Sequence, residues 1–188
     1  MKKFSNFSGF SDEIKKKTKE QLKLLEIFQS DLVVQYKNSW IENNQILYIQ
    51  MQLCFSTLRD ILIKKRTEFE RQEFQPMSRL EYYISSELFK ETLESLNYLH
   101  KQNPPIVHRD FKPSNILITN GLNGRFVKMA DFGLEVFQEF PDRTHTQGLE
   151  TFKYTAPEVL HRKNYDTQAN IFSLGYVSLE IFDIDINS

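Results

Sequence analysis

The sequence predicts an α+β fold: a helix and a β-hairpin first, then a mostly helical remainder carrying short strands. Three observations predict it. Residues 12–29 show an amphipathic helical period, residues 33–52 hold two β-rich runs around a short polar stretch, and residues 79–101 form a long striped helix followed by short apolar pieces between turn signals.

In the first helix Ile14, Leu22, Leu25 and Phe28 fall at helical spacing, with lysines on the other side. The run at 15–17 reads as a solvated face rather than a basic patch. Runs 33–41 and 46–52 flank a polar loop and read as a hairpin. Residues 57–65 predict a short helix and 68–76 a polar loop. In 79–101, Ile84, Leu88, Phe89, Leu93, Leu96 and Leu99 make one stripe, and Asn103-Pro104-Pro105 ends it. Ile106-Val107, Ile116–Ile118 and 126–130 are short apolar pieces. Asn120-Gly121 and Asn123-Gly124 mark turns between the last two. A final apolar helix runs from Asp166 to the end.

Composition narrows the function classes. The 24 Lys+Arg and 25 Asp+Glu leave a formal charge of -1, which gives no support for direct nucleic-acid binding. Sixteen Phe, eight Tyr and one Trp within 40% apolar residues supply a globular core and argue against disorder. The single cysteine, Cys54, excludes an intramolecular disulfide and a Cys-cluster zinc site. The most apolar stretch, 171–182, contains Glu180 and is shorter than the roughly 20 residues a bilayer span needs. Residues 1–10 carry two lysines but no apolar signal-peptide core. We therefore expect a soluble intracellular protein without a membrane partner. No three of the six glycines fit G-x-G-x-x-G, so a nucleotide site here works without that loop, or the loop lies outside this chain.

The chemistry-bearing motifs lie in the second half. His108-Arg109-Asp110-Phe111-Lys112-Pro113-Ser114-Asn115 sits between two strand fragments. Asp131-Phe132-Gly133 closes the next strand, and Ala156-Pro157-Glu158 follows 25 residues after Gly133. Each alone is a chance match. In this order and context the sequence resembles a eukaryotic protein kinase over essentially its whole length.

The resemblance implies a bilobal protein-kinase-like fold with ATP and Mg²⁺ as cosubstrate and cofactor, and a Ser/Thr hydroxyl of a protein as acceptor. It implies a small β lobe in 1–53 (helix C-like segment and hairpin, no Gly-rich loop). Residues 54–188 correspond to the large lobe, ending in a helix F-like segment. Phosphoryl transfer needs charge neutralised and atoms aligned rather than covalent help. Asp110 is then the acceptor of the substrate hydroxyl proton, and Asn115 and Asp131 are oxygen ligands for Mg²⁺. Lys112 resembles the lysine with which Ser/Thr kinases steady the transferred phosphate. His108 and Phe132 read as packing residues.

Residues 47–54, then Thr57-Leu58-Arg59-Asp60, are similar to the hinge of kinases that phosphorylate the alpha subunit of translation initiation factor 2. Tyr36 to Trp40, Glu42, and His108 to Leu117 are similar to that group as well. That implies Met51 as gatekeeper, the backbone of Gln52 and Cys54 on adenine, and Leu117 beneath the ring. No base motif accompanies Cys54 as a catalytic thiol. Residues 131–158 become the activation segment. Thr144 and Thr146 are candidate phosphosites that Arg109 could bind, and Thr151 falls nearer the substrate-docking loop. The bland reading of the three is exposed turn residues.

Several positions depart from the pattern. Met1-Lys2-Lys3-Phe4 resembles the V-A-I-K strand with Lys2 as the ATP-phosphate lysine; Lys3 is adjacent, and a surface lysine is an equally good reading of either. Counting back from Tyr36 puts Gln21 at the helix C glutamate position. Glu20 beside it lies about 100° away on the helix, so only one of the two faces inward. Asn170-Ile171-Phe172-Ser173-Leu174-Gly175 resembles D-x-W-S-x-G with Asn for Asp. The family partner of Glu158 and the cover of the last apolar helix lie in later helices, so we expect a partial kinase domain. Two functions follow as expectations. One is a cytoplasmic Ser/Thr kinase, with the initiation factor 2 alpha subunit as candidate substrate and a kinase dimer as candidate assembly. The other is a pseudokinase or inactive fragment serving as a binding module.

Overall fold

In the computed structural model of the chain, the described residues are 1–4, 7–43, 45–72, 75–121, 124–132, 152–161 and 166–185, with only the backbone described for 2–4 and 24. Two three-stranded antiparallel sheets and five α-helices make an α+β fold.

The first sheet takes β1 (Lys2–Phe4), β2 (Tyr36–Glu42) and β3 (Ile46–Met51) in the order β1-β3-β2. The central strand buries Leu47 and Ile49, while the edge strand β2 faces mostly solvent. Helix α1 (Asp12–Ile27) lies in the connection between β1 and β2. Ser11 caps it by accepting the Ile14 N–H at 3.3 Å. Its inward face is Thr18, Leu22 and Leu25.

The predicted hairpin begins later than its β-rich run. Pairing starts at Tyr36 opposite Met51, whereas Val33 and Val34 leave the hairpin. Val33 bridges Met129 in parallel, and the Val34 N–H donates to the Met129 carbonyl at 2.9 Å. Both valines are buried, so their backbone groups need protein partners, and a strand far along the chain supplies them.

The second sheet is β4 (Ser56–Thr57), β5 (Ile116–Ile118) and β6 (Val127–Met129) in sequence order. Thr57 also caps α2 (Leu58–Glu68) in a capping box with Asp60. Helix α3 (Arg79–His100) follows, capped by Ser78.

The buried face of α3 differs from the predicted stripe. Leu96 and Leu99 are buried, but Ile84 and Leu93 are 37% and 39% exposed, and Glu81, Ser85, Thr92 and Ser95 lie inside instead. The reason is charge pairing. Lys65, buried on α2, stands 3.8 Å from the Glu81 carboxylate, and Arg71 stands 3.1 Å from its other oxygen. The Lys65 ammonium also donates to the Ile181 carbonyl at 2.5 Å. Glu91 likewise turns inward and accepts the N–H groups of Phe126 and Val127 at 2.8 Å each, fixing the start of β6.

Helix α4 (Pro157–Leu160) is one turn long, with Pro157 in its first turn. The final helix α5 (Gln168–Ile181) buries Asn170, Ser173, Leu174, Val177 and Ile181 and ends earlier than predicted, at Phe182. Among the described residues no helix is long and apolar enough to cross a membrane.

Candidate active site

The β5–β6 pairing builds the site. Ile116 pairs with Met129 and Ile118 with Val127, so the residue before β5 and those after β6 share one end of the sheet. The Ala130 N–H donates to the Asn115 carbonyl at 2.9 Å, which places Asp131, the next residue, beside that loop. A 3₁₀ turn at Pro113–Asn115 leads into β5.

Within the loop, Asp110 is the hub. Its carboxylate is 2.9 Å from the Lys112 ammonium through Oδ1, and its Oδ2 accepts from Asn115 Nδ2 at 3.0 Å. The same Nδ2 donates to the Asp110 carbonyl at 2.7 Å. Asp110 is 8% and Asn115 7% exposed, so these contacts operate with little screening by water. Because Asn115 turns its nitrogen to Asp110, its amide oxygen lies on the opposite side of the group. Arg109 and Asp131 hold φ of 64° and 65°. Left-handed backbone at two non-glycine residues costs energy that packing must offset, a condition that clusters at functional sites.

The loop rests on a packed base. His108 is 1% exposed and meets Phe111 edge-on at 5.7 Å. Burial pulls its imidazole pKa below the ordinary value, against the opposing charges of Asp110 and Asp131. Asn170 accepts the His108 backbone N–H at 2.9 Å. Phe132 is buried and edge-on to Phe28 at 5.5 Å, linking the Asp131 strand end to the residue that follows α1.

The remaining candidates distribute as follows. Met51 ends β3 and is half-buried. The Gln52 N–H donates to the Gln35 carbonyl at 2.8 Å, and the Phe55 N–H to the Ile118 carbonyl at 2.7 Å. The segment carrying Gln52 and Cys54 is thereby fastened to both sheets, and Leu117 lies in the neighbouring β5. Cys54 is half-buried, and that burial pushes its thiol pKa up, opposite to what a nucleophile needs. Lys2 lies in β1 opposite Ile49 in backbone register; its side chain, with Gly133, Thr144, Thr146 and Thr151, lies outside the described residues. On α1, Glu20 is exposed, while Gln21 buries its Oε1 with no hydrogen-bond partner among the described residues. The structure thus turns the amide inward and the carboxylate out.

Sequence reasoning missed one group. Glu180 on α5 accepts the Tyr154 hydroxyl at 2.5 Å, pairs with Arg59 at 3.1 Å, and takes the Lys153 ammonium as well. Its only signal in the sequence was a charge interrupting an apolar run.

The model of the protein kinase domain family matches residues 1–185. The chain is 34% identical over 151 residues to mouse eukaryotic translation initiation factor 2-alpha kinase 1, covering 73% of this chain and 23% of that protein. It is 33% identical over 175 residues to the probable serine/threonine-protein kinase WNK6 of Oryza sativa subsp. japonica, covering 92% and 36%. It is 33% identical over 164 residues to the serine/threonine-protein kinase pakF of Dictyostelium discoideum, covering 87% and 12%. The chain therefore spans little more than a third, or less, of these curated relatives.

Proposed function

The chain belongs to the protein kinase family, and we propose that it transfers the γ-phosphoryl group of ATP to a Ser or Thr hydroxyl of a protein. The observation that carries this reading is the Asp110 carboxylate, held on one oxygen by Lys112 and on the other by Asn115, at the sheet end that delivers Asp131. In this reading Asp110 orients the acceptor hydroxyl and receives its proton, and Lys112 steadies the transferred group.

The donor set fits Mg²⁺. One carboxylate from Asp131 and the amide oxygen of Asn115 suit a hard cation that keeps waters and phosphate oxygens as further ligands. Among the described residues no group of three or more His, Cys, Asp and Glu forms a metal cage, and such an ion needs none. When bound, it neutralises phosphate charge. The backbone of Gln52 and Cys54, with Met51 and Leu117, forms the adenine side, and Lys2 is the candidate phosphate lysine. Residues 1–53 and 54–188 are the two lobes. Thr144, Thr146 and Thr151 are candidate phosphosites.

For the acceptor we propose the alpha subunit of translation initiation factor 2, which places the protein in cytoplasmic translation control with a kinase dimer as its assembly. The support is the hinge similarity and the mouse relative. The test is phosphate transfer from ATP-Mg²⁺ to that subunit and to a generic Ser/Thr substrate, with Asp131→Asn as control. We expect transfer that the substitution lowers by about 100-fold or more, roughly the effect of removing a group that stabilises transition-state charge. Equal transfer by both proteins contradicts the reading.

The inward Gln21 favours a second reading, a kinase-derived binding module. A neutral amide gives a lysine no charged partner, so the phosphate clamp is weakened. Nucleotide binding without transfer is its expected signature.

A further inference from the structure

Helix α5 acts as a ruler beneath the site. Asn170 holds the His108 N–H at 2.9 Å. One turn later, about 4.5 Å along the axis, the Ser173 hydroxyl donates to the Tyr154 carbonyl at 2.6 Å. Seven residues further, about 10.5 Å, Glu180 receives the Tyr154 hydroxyl at 2.5 Å and the Lys153 ammonium. Tyr154 is 4% exposed and thus pinned at both its backbone and its phenol. Arg59, from the start of α2, closes the same carboxylate from the other side at 3.1 Å.

Three donors from two elements nearly a hundred residues apart therefore meet on one acidic group. Two cations against one carboxylate leave a local surplus of positive charge, and both cations remain partly exposed, at 28% for Arg59 and 43% for Lys153. A carboxylate that accepts several charge-assisted bonds holds its neighbours more tightly than neutral contacts do. What it holds is the stretch leading into Ala156 and α4, laid beside the loop that carries Asp110.

We propose that Glu180 is a positioning residue: through Lys153 and Tyr154 it holds residues 152–156 where a protein substrate passes on its way to Asp110. The saturated carboxylate and its surplus cations make this docking edge favour a neutral or acidic residue in the substrate over a basic one. The proposal rests on the protein kinase reading, names a substrate preference for it, and assigns the nucleotide no contact with Glu180.

The test pairs two measurements on the full chain, with Glu180→Gln and, as a milder variant, Tyr154→Phe. Backbone amide exchange reads the clamp without any catalysis. We expect about tenfold faster exchange across 152–156 in Glu180→Gln, the consequence of losing a charged hydrogen-bond partner, and unchanged exchange at 116–118. Kinetics with peptides that differ only by Lys, Ala or Glu near the acceptor serine read the preference. We expect the peptide KM to rise several-fold in both variants, the KM for ATP to stay within twofold, and the wild type to disfavour the Lys peptide. Unchanged exchange at 152–156, an equal rise in both KM values, or a wild-type preference for Lys overturns the proposal. If the wild type transfers no phosphate, the kinase reading fails by itself, and the exchange result alone decides whether Glu180 clamps the segment.

Discussion

The side-chain oxygen of Asn170 accepts the backbone N–H of His108 at 2.9 Å and lies 3.2 Å from Nε2 of His100. An uncharged amide on α5 thus carries the loop that presents Asp110. Asn170 is 1% exposed, so neither of its neighbours finds water as a substitute. Truncation to Ala leaves a buried N–H without an acceptor, which costs about 1–3 kcal/mol. We predict that Asn170→Ala lowers the unfolding free energy by that amount in a urea titration followed by Trp40 fluorescence, while Asn170→Asp keeps the acceptor and stays near wild type. Equal stability of Asn170→Ala and the wild type contradicts this role.

His108 gives a pH dependence with a defined sign. Burial lowers its pKa in the folded chain below the value of about 6.5 expected in the unfolded chain. Between those two values the unfolded state binds a proton that the folded state does not. Stability is therefore complete above the unfolded pKa and falls as pH drops through the window, by up to about 1.4 kcal/mol per pH unit. His108→Phe keeps the aromatic contact with Phe111 and the backbone N–H to Asn170 but removes the titration. Denaturant midpoints from pH 7.5 to pH 5.5 should fall less steeply in that variant; identical slopes would place the pH sensitivity elsewhere.

Much of the site was legible because its residues are local. Asp110, Lys112 and Asn115 lie within six positions, and the β5–β6 strands that bring Asp131 to them announce themselves as short apolar pieces around turn signals. The hairpin and α3 were legible from period alone. What the sequence hid was the identity of partners. Val33 and Val34 looked like the start of the hairpin strand because β propensity does not say which strand answers; Met129 does. Glu81 looked like a solvated charge because a helical period cannot reveal that Lys65 and Arg71 surround it. The choice between Gln21 and Glu20 was open by helix geometry, and the packing of Thr18, Leu22 and Leu25 against the interior decides it for Gln21. Glu180 was a blemish in an apolar helix until Arg59, Lys153 and Tyr154 arrived around it.

The central claim is that Asp110, Asn115 and Asp131 serve one metal-bound nucleotide. Calorimetric titration of ATP with and without Mg²⁺, on the wild type and on Asp131→Asn, tests it most directly. We predict that Mg²⁺ tightens ATP binding at least tenfold in the wild type, about 1.4 kcal/mol, and that Asp131→Asn abolishes the gain. A gain of the same size in both proteins contradicts the account.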